Sequence, residues 1–203
     1  MIDNYQALTL GRYMKVNEVL TGDDEDIDKQ VKIIAILSDK TEDEILALPL
    51  ADYTQLASQT DFLRAYCKPT EIADGWRLED LVPTSDFRKI TTAQYVDFQT
   101  FSKDFPASAP ELLAVFLVPE GHKYNEGYDF ADVVARVKEI PMPDALGLVA
   151  FFFARFLKLT EDSLNSWGKD LTMTSDRKTK ERIATRIAEV ETLLRSVGVG
   201  SQT

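Results

Sequence analysis

Residues 145–157, which read ALGLVAFFFARFL, are the most apolar stretch of the sequence and decide its fold class. A helix with three consecutive phenylalanines is apolar on every side, and such helices are buried in a core. We therefore expect this stretch to be the most buried helix of the protein, within a helix from Asp144 to about Trp167 that Gly168 ends. The alternative is that its phenylalanines line a ligand pocket.

A transmembrane segment is another interpretation of so apolar a stretch. A bilayer span needs about 20 apolar residues. The stretch has 13 residues and contains Arg155. We expect no membrane partner, and the N-terminal residues have neither the basic region nor the apolar region of a signal peptide.

Helix start and stop signals recur along the rest of the chain, whereas the period-two alternation of strands does not. The residues predicted to cap helices are Thr9, Thr41, Thr91 or Thr92, Ser108 and Asp129. Asp74-Gly75, between two short apolar pieces, indicates a hairpin turn. The predicted fold is mainly α: a multi-helix bundle with a small β-hairpin near residues 70–80 and a long C-terminal helix.

We expect three parts: an N-terminal helical module (residues 1–68), a hairpin with a helical core module (69–168) and a C-terminal helical arm (169–203). The charge changes at the last boundary. Residues 169–203 contain seven basic and five acidic residues, whereas the preceding residues contain 16 basic and 29 acidic ones. The whole chain carries a formal charge of −11, which disfavours binding to phosphate backbones and predicts no sequence-specific nucleic-acid partner.

The arm is predicted to be one helix from about Ser175 to Val197. Its apolar residues recur every three or four positions, as in a coiled-coil seam, and basic residues lie beside them. The predicted interface residues are Ile183, Ile187, Val190, Leu194 and Val197, with Arg182 and Arg186. A seam of about two heptads is too short to be stable alone, so it must pack either on an adjacent subunit or on its own body.

The sequence offers no site for catalysis. Asp24, Asp26 and Asp28 match the start of a calcium loop, but Lys29 stands where that loop needs glycine, so a helix N-terminus is the better interpretation. The single histidine, His122, and the single cysteine, Cys67, lie in no catalytic motif. We expect no catalytic residue, no cofactor and no metal ligand, and predict that the protein is not an enzyme.

The order and spacing of the predicted helices and turns over residues 10–165 resemble those of a known class of proteins. Residues 15–63 (KVNEVLTGDDEDIDKQVKIIAILSDKTEDEILALPLADYTQLASQTDFL) resemble the small helical modules of tail-assembly and virion-associated proteins of tailed bacteriophages. Residues 90–101 (ITTAQYVDFQTF) and 111–157 resemble the second half of such proteins in crAss-like and other Bacteroidetes phages. The resemblance has no signature motif and transfers no catalytic residue.

This resemblance implies a structural protein that binds copies of itself and other phage structural proteins, for example in a ring near the portal or tail. Such a protein would be found in the host cytoplasm during assembly and then in the virion. A transient tail-assembly chaperone is the first alternative. A small enzyme or ligand-binding domain, with the phenylalanine-rich helix as a pocket wall, is the second.

Overall fold

The computed structural model describes residues 1–73 and 75–170 of the 203-residue chain. This part is a mainly α-helical bundle with one small two-stranded sheet, as the sequence predicts. The helices are Leu10–Thr21 (α1), Asp26–Ser38 (α2), Glu42–Leu46 (α3), Leu50–Ser58 (α4), Thr92–Phe101 (α5), Ala109–Phe116 (α6), Phe130–Val137 (α7) and Met142–Asp170 (α8). The strands are Leu81–Pro83 (β1) and Leu117–Pro119 (β2), and short 3-10 turns occupy Asp61–Arg64, Phe87–Lys89 and Ser102–Asp104.

Four of the five predicted caps accept a hydrogen bond from a backbone N–H of the first helical turn: Thr9, Thr41, Thr91 and Asp129. The fifth, Ser108, was predicted wrongly as a side-chain cap. Its hydroxyl donates instead to the carbonyl of Phe101, which is the last residue of α5 and needs a donor there. Helix α6 still begins behind Ser108, with Pro110 in its first turn.

The small sheet is antiparallel, and Asp74 of the predicted turn lies outside the described residues. Strand β1 pairs with β2, so that Leu81 lies opposite Pro119. The tight reversal lies at residues 78–81, where Leu78 and Leu81 exchange two backbone hydrogen bonds and Glu79 adopts a φ of 55°. The partner of β1 follows α6 in the sequence. Strands of three residues are too short to show a period-two alternation of apolar and polar residues. The prediction of a small antiparallel element near residues 70–80 is confirmed, with its tight reversal at residues 78–81, whereas the pairing of β1 with β2 was not predicted.

Helix α6, and not residues 145–157, is the most completely buried helix among those whose side chains are described. Seven of its eight residues are buried, because it packs against α5, α7 and α8. The apolar stretch in α8 is buried on one side only: Phe152 and Phe153 are in the core, whereas Phe151 is half-exposed. The guanidinium carbon of Arg155 lies 4.1 Å from the centre of the Phe151 ring. This cation–π contact stabilises both side chains outside the core.

Phe116, at the end of α6, is the centre of the aromatic core. Its ring lies 4.7 Å from that of Phe87, 5.1 Å from that of Phe152 and 5.3 Å from that of Phe98. These rings come from the 3-10 turn at residues 87–89, from α8 and from α5. The predicted assignment of the phenylalanine-rich helix to the core is confirmed for Phe152, Phe153 and Phe156.

Helix α8 begins earlier and ends later than predicted. It starts at Met142, with Pro143 in its first turn, and it continues through Gly168 to Asp170. The prediction that Gly168 ends the helix was wrong. A glycine inside a helix costs about 1 kcal/mol relative to alanine, which a long helix tolerates.

Helices α1–α4 form two apolar clusters of their own. One is built on Leu8, Val16, Ile33 and Leu37, and the other on Val31, Ile34, Ala35 and Ile45. Backbone hydrogen bonds of 2.8 Å fix this module to residues 138–142, at the start of α8: Met142 donates to Leu8, Leu10 to Ile140, and Gly11 to Lys138. The three-part division of the chain stays a prediction.

The chain that leads from helices α1–α4 to the rest of the bundle crosses α8 at Gly147. The backbone N–H of Thr70 donates to Pro143 at 2.9 Å, and the carbonyl oxygen of Thr70 occupies the place where a Cβ of residue 147 would lie. Only glycine allows this close approach of the two backbones.

We predict that Gly147→Ala destabilises the protein by about 1–3 kcal/mol, the usual cost of overpacking. Helix propensity alone predicts the opposite, a gain of about 1 kcal/mol. Chemical denaturation measures the change, with Ala154→Gly at an exposed position of α8 as the control for propensity. A Gly147→Ala protein more stable than the wild type would contradict the described crossing.

Phe151 and Phe152 form a matched pair that tests the orientation of α8. We predict that Phe152→Ala costs about 3–5 kcal/mol of unfolding free energy, because it leaves a cavity in the core. Phe151→Ala should cost on the order of 1 kcal/mol, the typical effect of a point substitution. Equal losses for the two variants, measured by denaturation, would mean that α8 presents a different face to the core.

Candidate functional site

The predicted interface residues Arg182, Ile183, Arg186, Ile187, Val190, Leu194 and Val197 lie outside the described residues. The structure therefore locates the helix that leads to them. Described contacts of α8 with the main core extend from Met142 to Leu159. The helix continues for 11 more residues to Asp170, which is about 16 Å at 1.5 Å per residue.

Exposed apolar side chains are concentrated on the N-terminal module. Among the described residues, the large hydrophobic side chains with the highest exposed fractions are Leu50 at 78% and Leu46 at 68%. Leu20 and Ile27, near the connection between α1 and α2, are also exposed. Where such side chains adjoin one another on a surface, they mark a site of protein–protein contact.

An open groove of about 1800 Å³ lies between the N-terminal module and the start of α8. Tyr13 and Met14 of α1 form one side, and Phe105 and Leu146 lie on the other. The charged residues that line it are of both signs, and Arg12 is paired with Asp39 at 2.7 Å. The groove shows no convergence of acid, base and nucleophile of the kind that catalysis requires.

The aromatic residues of the loop at 121–130 pack on the core. Tyr124 is buried, its ring meets Phe130 edge-on, and its hydroxyl donates to the Asp97 carboxylate at 2.8 Å. Burial, together with this hydrogen bond, raises the pKa of Tyr124 above its ordinary value of 10. Tyr124 therefore fastens the loop to α5 as a neutral donor, and the loop is a cover over the core.

Arg136 of α7 is the centre of the densest charge cluster described. Its guanidinium binds Glu79 at 2.9 Å, contacts Asp80 and lies 4.0 Å from Asp132. The hydrogen bond from Arg136 lowers the pKa of Asp80 below its ordinary value of 3.8. The cluster holds the turn at residues 78–81 against α7. Only the Asp132–Arg136 pair, four residues apart on a helix, was visible in the sequence.

The residues considered in the sequence as metal-binding or catalytic candidates make contacts within the fold. Asp24 binds Lys32 at 2.7 Å, while Asp26 and Asp28 lie in the first turn of α2, where the helix dipole favours them. Burial raises the pKa of the Cys67 thiol to about 11, so it is protonated at neutral pH and a poor nucleophile. The ring of His122 contacts the Glu126 carbonyl and the edge of Tyr128.

Within residues 1–73 and 75–170, no group of three or more His, Cys, Asp or Glu side chains is placed to hold a metal ion. None of the helices in this part of the chain is both long enough and apolar enough to span a bilayer. Comparison with protein-family models, with curated proteins and with solved structures gives no match. The candidate site is thus defined by exposed apolar surface and by the course of α8.

The Arg136 cluster predicts a pH-dependent stability. Because the pKa of Asp80 is lowered in the folded state, its contribution is present above the ordinary carboxyl pKa and is lost as the pH falls through the lower, folded value. Arg136→Met should therefore lower the melting temperature near neutral pH, and its difference from the wild type should shrink below about pH 4.

The control is Arg77→Met, which removes an exposed ion pair with Glu120 and should change the melting temperature little. Thermal melts from pH 3 to pH 7 measure both variants. A difference between Arg136→Met and the wild type that is constant over this range would exclude the charge cluster as its cause.

Proposed function

We propose that the protein is a non-enzymatic structural or assembly protein of a tailed bacteriophage. It acts through protein–protein contacts with copies of itself and with other phage structural proteins, for example as a component of a ring near the portal or tail. Its place is the host cytoplasm during assembly and then the virion. The proposed assignment to phage proteins is based on the resemblance of residues 10–165. The proposed mode of action is based on α8.

The length of α8 is the observation that supports this proposal. At 1.5 Å per residue, the 29 residues of α8 measure about 43 Å. About two thirds of that length, from Met142 to Leu159, has described packing on the main core. The remainder, residues 160–170, leads to the predicted C-terminal arm, whereas the N-terminal module is bonded to the beginning of the helix.

The residues that follow supply the chemistry of the contact. The seam from Ile183 to Val197 is apolar and needs an apolar partner, since a helix of about 20 residues has little stability alone in water. Basic residues stand beside the seam in the sequence, among them Arg182 and Arg186, whereas the residues before Lys169 have a large excess of acidic residues. Opposite charges speed the encounter of two subunits and help to fix their register.

A transient assembly chaperone is the second candidate. The exposed Leu46 and Leu50 favour it, because a chaperone needs accessible apolar surface on the module that resembles such proteins. Mass spectrometry of purified phage particles separates the two. A structural component is present at a fixed copy number, whereas a chaperone is absent from the mature particle.

We predict that a chain ending after Lys169 stays folded but associates less than the full chain. The described core contacts end at Leu159, so the truncation leaves them intact. Size-exclusion chromatography with light scattering measures the association, and thermal melting measures the fold. A truncated protein that melts earlier and still assembles normally would refute an intermolecular role for residues 170–203.

A further inference from the structure

The connection between α3 and α4 carries the two most exposed large hydrophobic side chains among the described residues. We call residues 42–52 the α3–α4 corner. Leu46 ends α3 and Leu50 begins α4, and each has more than two thirds of its surface exposed. Nothing in the fold of this module requires these two side chains, because Ile45 fills the core position between α2 and α4 and is 1% exposed.

The corner is also strongly acidic. Residues 42–52 contain four acidic residues and no basic one: Glu42, Asp43, Glu44 and Asp52. Glu44 is engaged in the capping box with Thr41, and the other three carboxylates are exposed. Two exposed leucines within a negative surface match a partner that is both apolar and basic.

The chain itself contains such a partner. Residues 177–187 include five basic residues and one acidic residue, and they carry Ile183 and Ile187. If this segment is helical, as its spacing predicts, Ile183 and Ile187 share one face, and Arg182 and Arg186 lie beside them one turn apart.

The length of α8 favours a partner on another copy. The N-terminal module is bonded to Met142, and a straight α8 puts Asp170 about 42 Å from Met142. The six residues 171–176 span at most about 22 Å when fully extended. This connection is shorter than α8, so a return of residues 177–187 to the module of their own chain is less favoured than a contact with a neighbouring copy.

We propose that the α3–α4 corner binds residues 177–187 of a second copy of this chain. The inference rests on the proposed function and adds the surface that receives the C-terminal segment. Leu46 and Leu50 contact Ile183 and Ile187, while Asp43 and Asp52 pair with Arg182 and Arg186. Because the corner and the segment belong to different parts of the chain, this contact is head-to-tail and generates a ring when the rotation closes.

The first test removes the apolar half of the corner. In the full chain, Leu46→Ser with Leu50→Ser should weaken self-association at least about tenfold without a fall in melting temperature, because both side chains are exposed. The control is Val96→Ser, which removes a side chain that is 52% exposed on α5 and should leave association unchanged. Light scattering over a range of concentrations measures the association.

The second test exchanges the charges. One variant carries Asp43→Lys and Asp52→Lys, and the other carries Arg182→Glu and Arg186→Glu. Each variant alone should associate more weakly than the wild type, because like charges then face each other at the two proposed ion pairs. An equimolar mixture should recover association, since the substituted pair of one variant then meets residues of opposite charge on the other variant.

The outcomes separate this inference from the proposed function. A wild-type protein that is monomeric at every concentration overturns both. If the wild type associates and the chain ending after Lys169 does not, but the corner variants assemble like the wild type, the proposed function stands and this inference fails. Corner variants that melt earlier with unchanged association, or a mixture that recovers nothing, also overturn the inference.

Discussion

The contact of Phe116 with three other aromatic rings is the interaction on which the bundle depends. It joins α5, α6, α8 and the turn at residues 87–89 within ring distances of about 5 Å. Such contacts combine large apolar burial with a preferred ring geometry, so they fix the relative rotation of the helices as well as their proximity. With this centre occupied by α6, the longer α8 can bury only one side.

The burial of one side of α8 determines how the rest of the chain is arranged. Its beginning is held by backbone hydrogen bonds to the N-terminal module and by the crossing at Gly147, whereas its end runs beyond the described core contacts. The acidic module with its exposed leucines is bonded to the beginning of α8, and the basic, apolar segment follows the end of α8 in the sequence. Our proposal joins these two features between copies of the chain.

Sequence reasoning succeeded where the determinants are local. Thr9, Thr41, Thr91 and Asp129 cap helices because a cap depends on residues within one turn. It failed where distant residues decide: the pairing of β1 with β2, the greater burial of α6, and the hydrogen bond from Ser108 to Phe101. The exposure of Leu46 and Leu50 was not predictable either, since both belong to apolar stretches that look like core. The predicted interface residues 182–197 stay a prediction.

The central claim is that residues 177–187 of one copy contact the α3–α4 corner of another. Its most direct measurement is carboxyl–amine cross-linking of an equal mixture of unlabelled and ¹⁵N-labelled full-length protein. The account predicts linked peptides that join Lys178 or Lys180 to Glu42, Asp43 or Asp52, with one labelled and one unlabelled member. Linked pairs of these peptides that are only fully labelled or fully unlabelled would show a contact within one chain and contradict the claim.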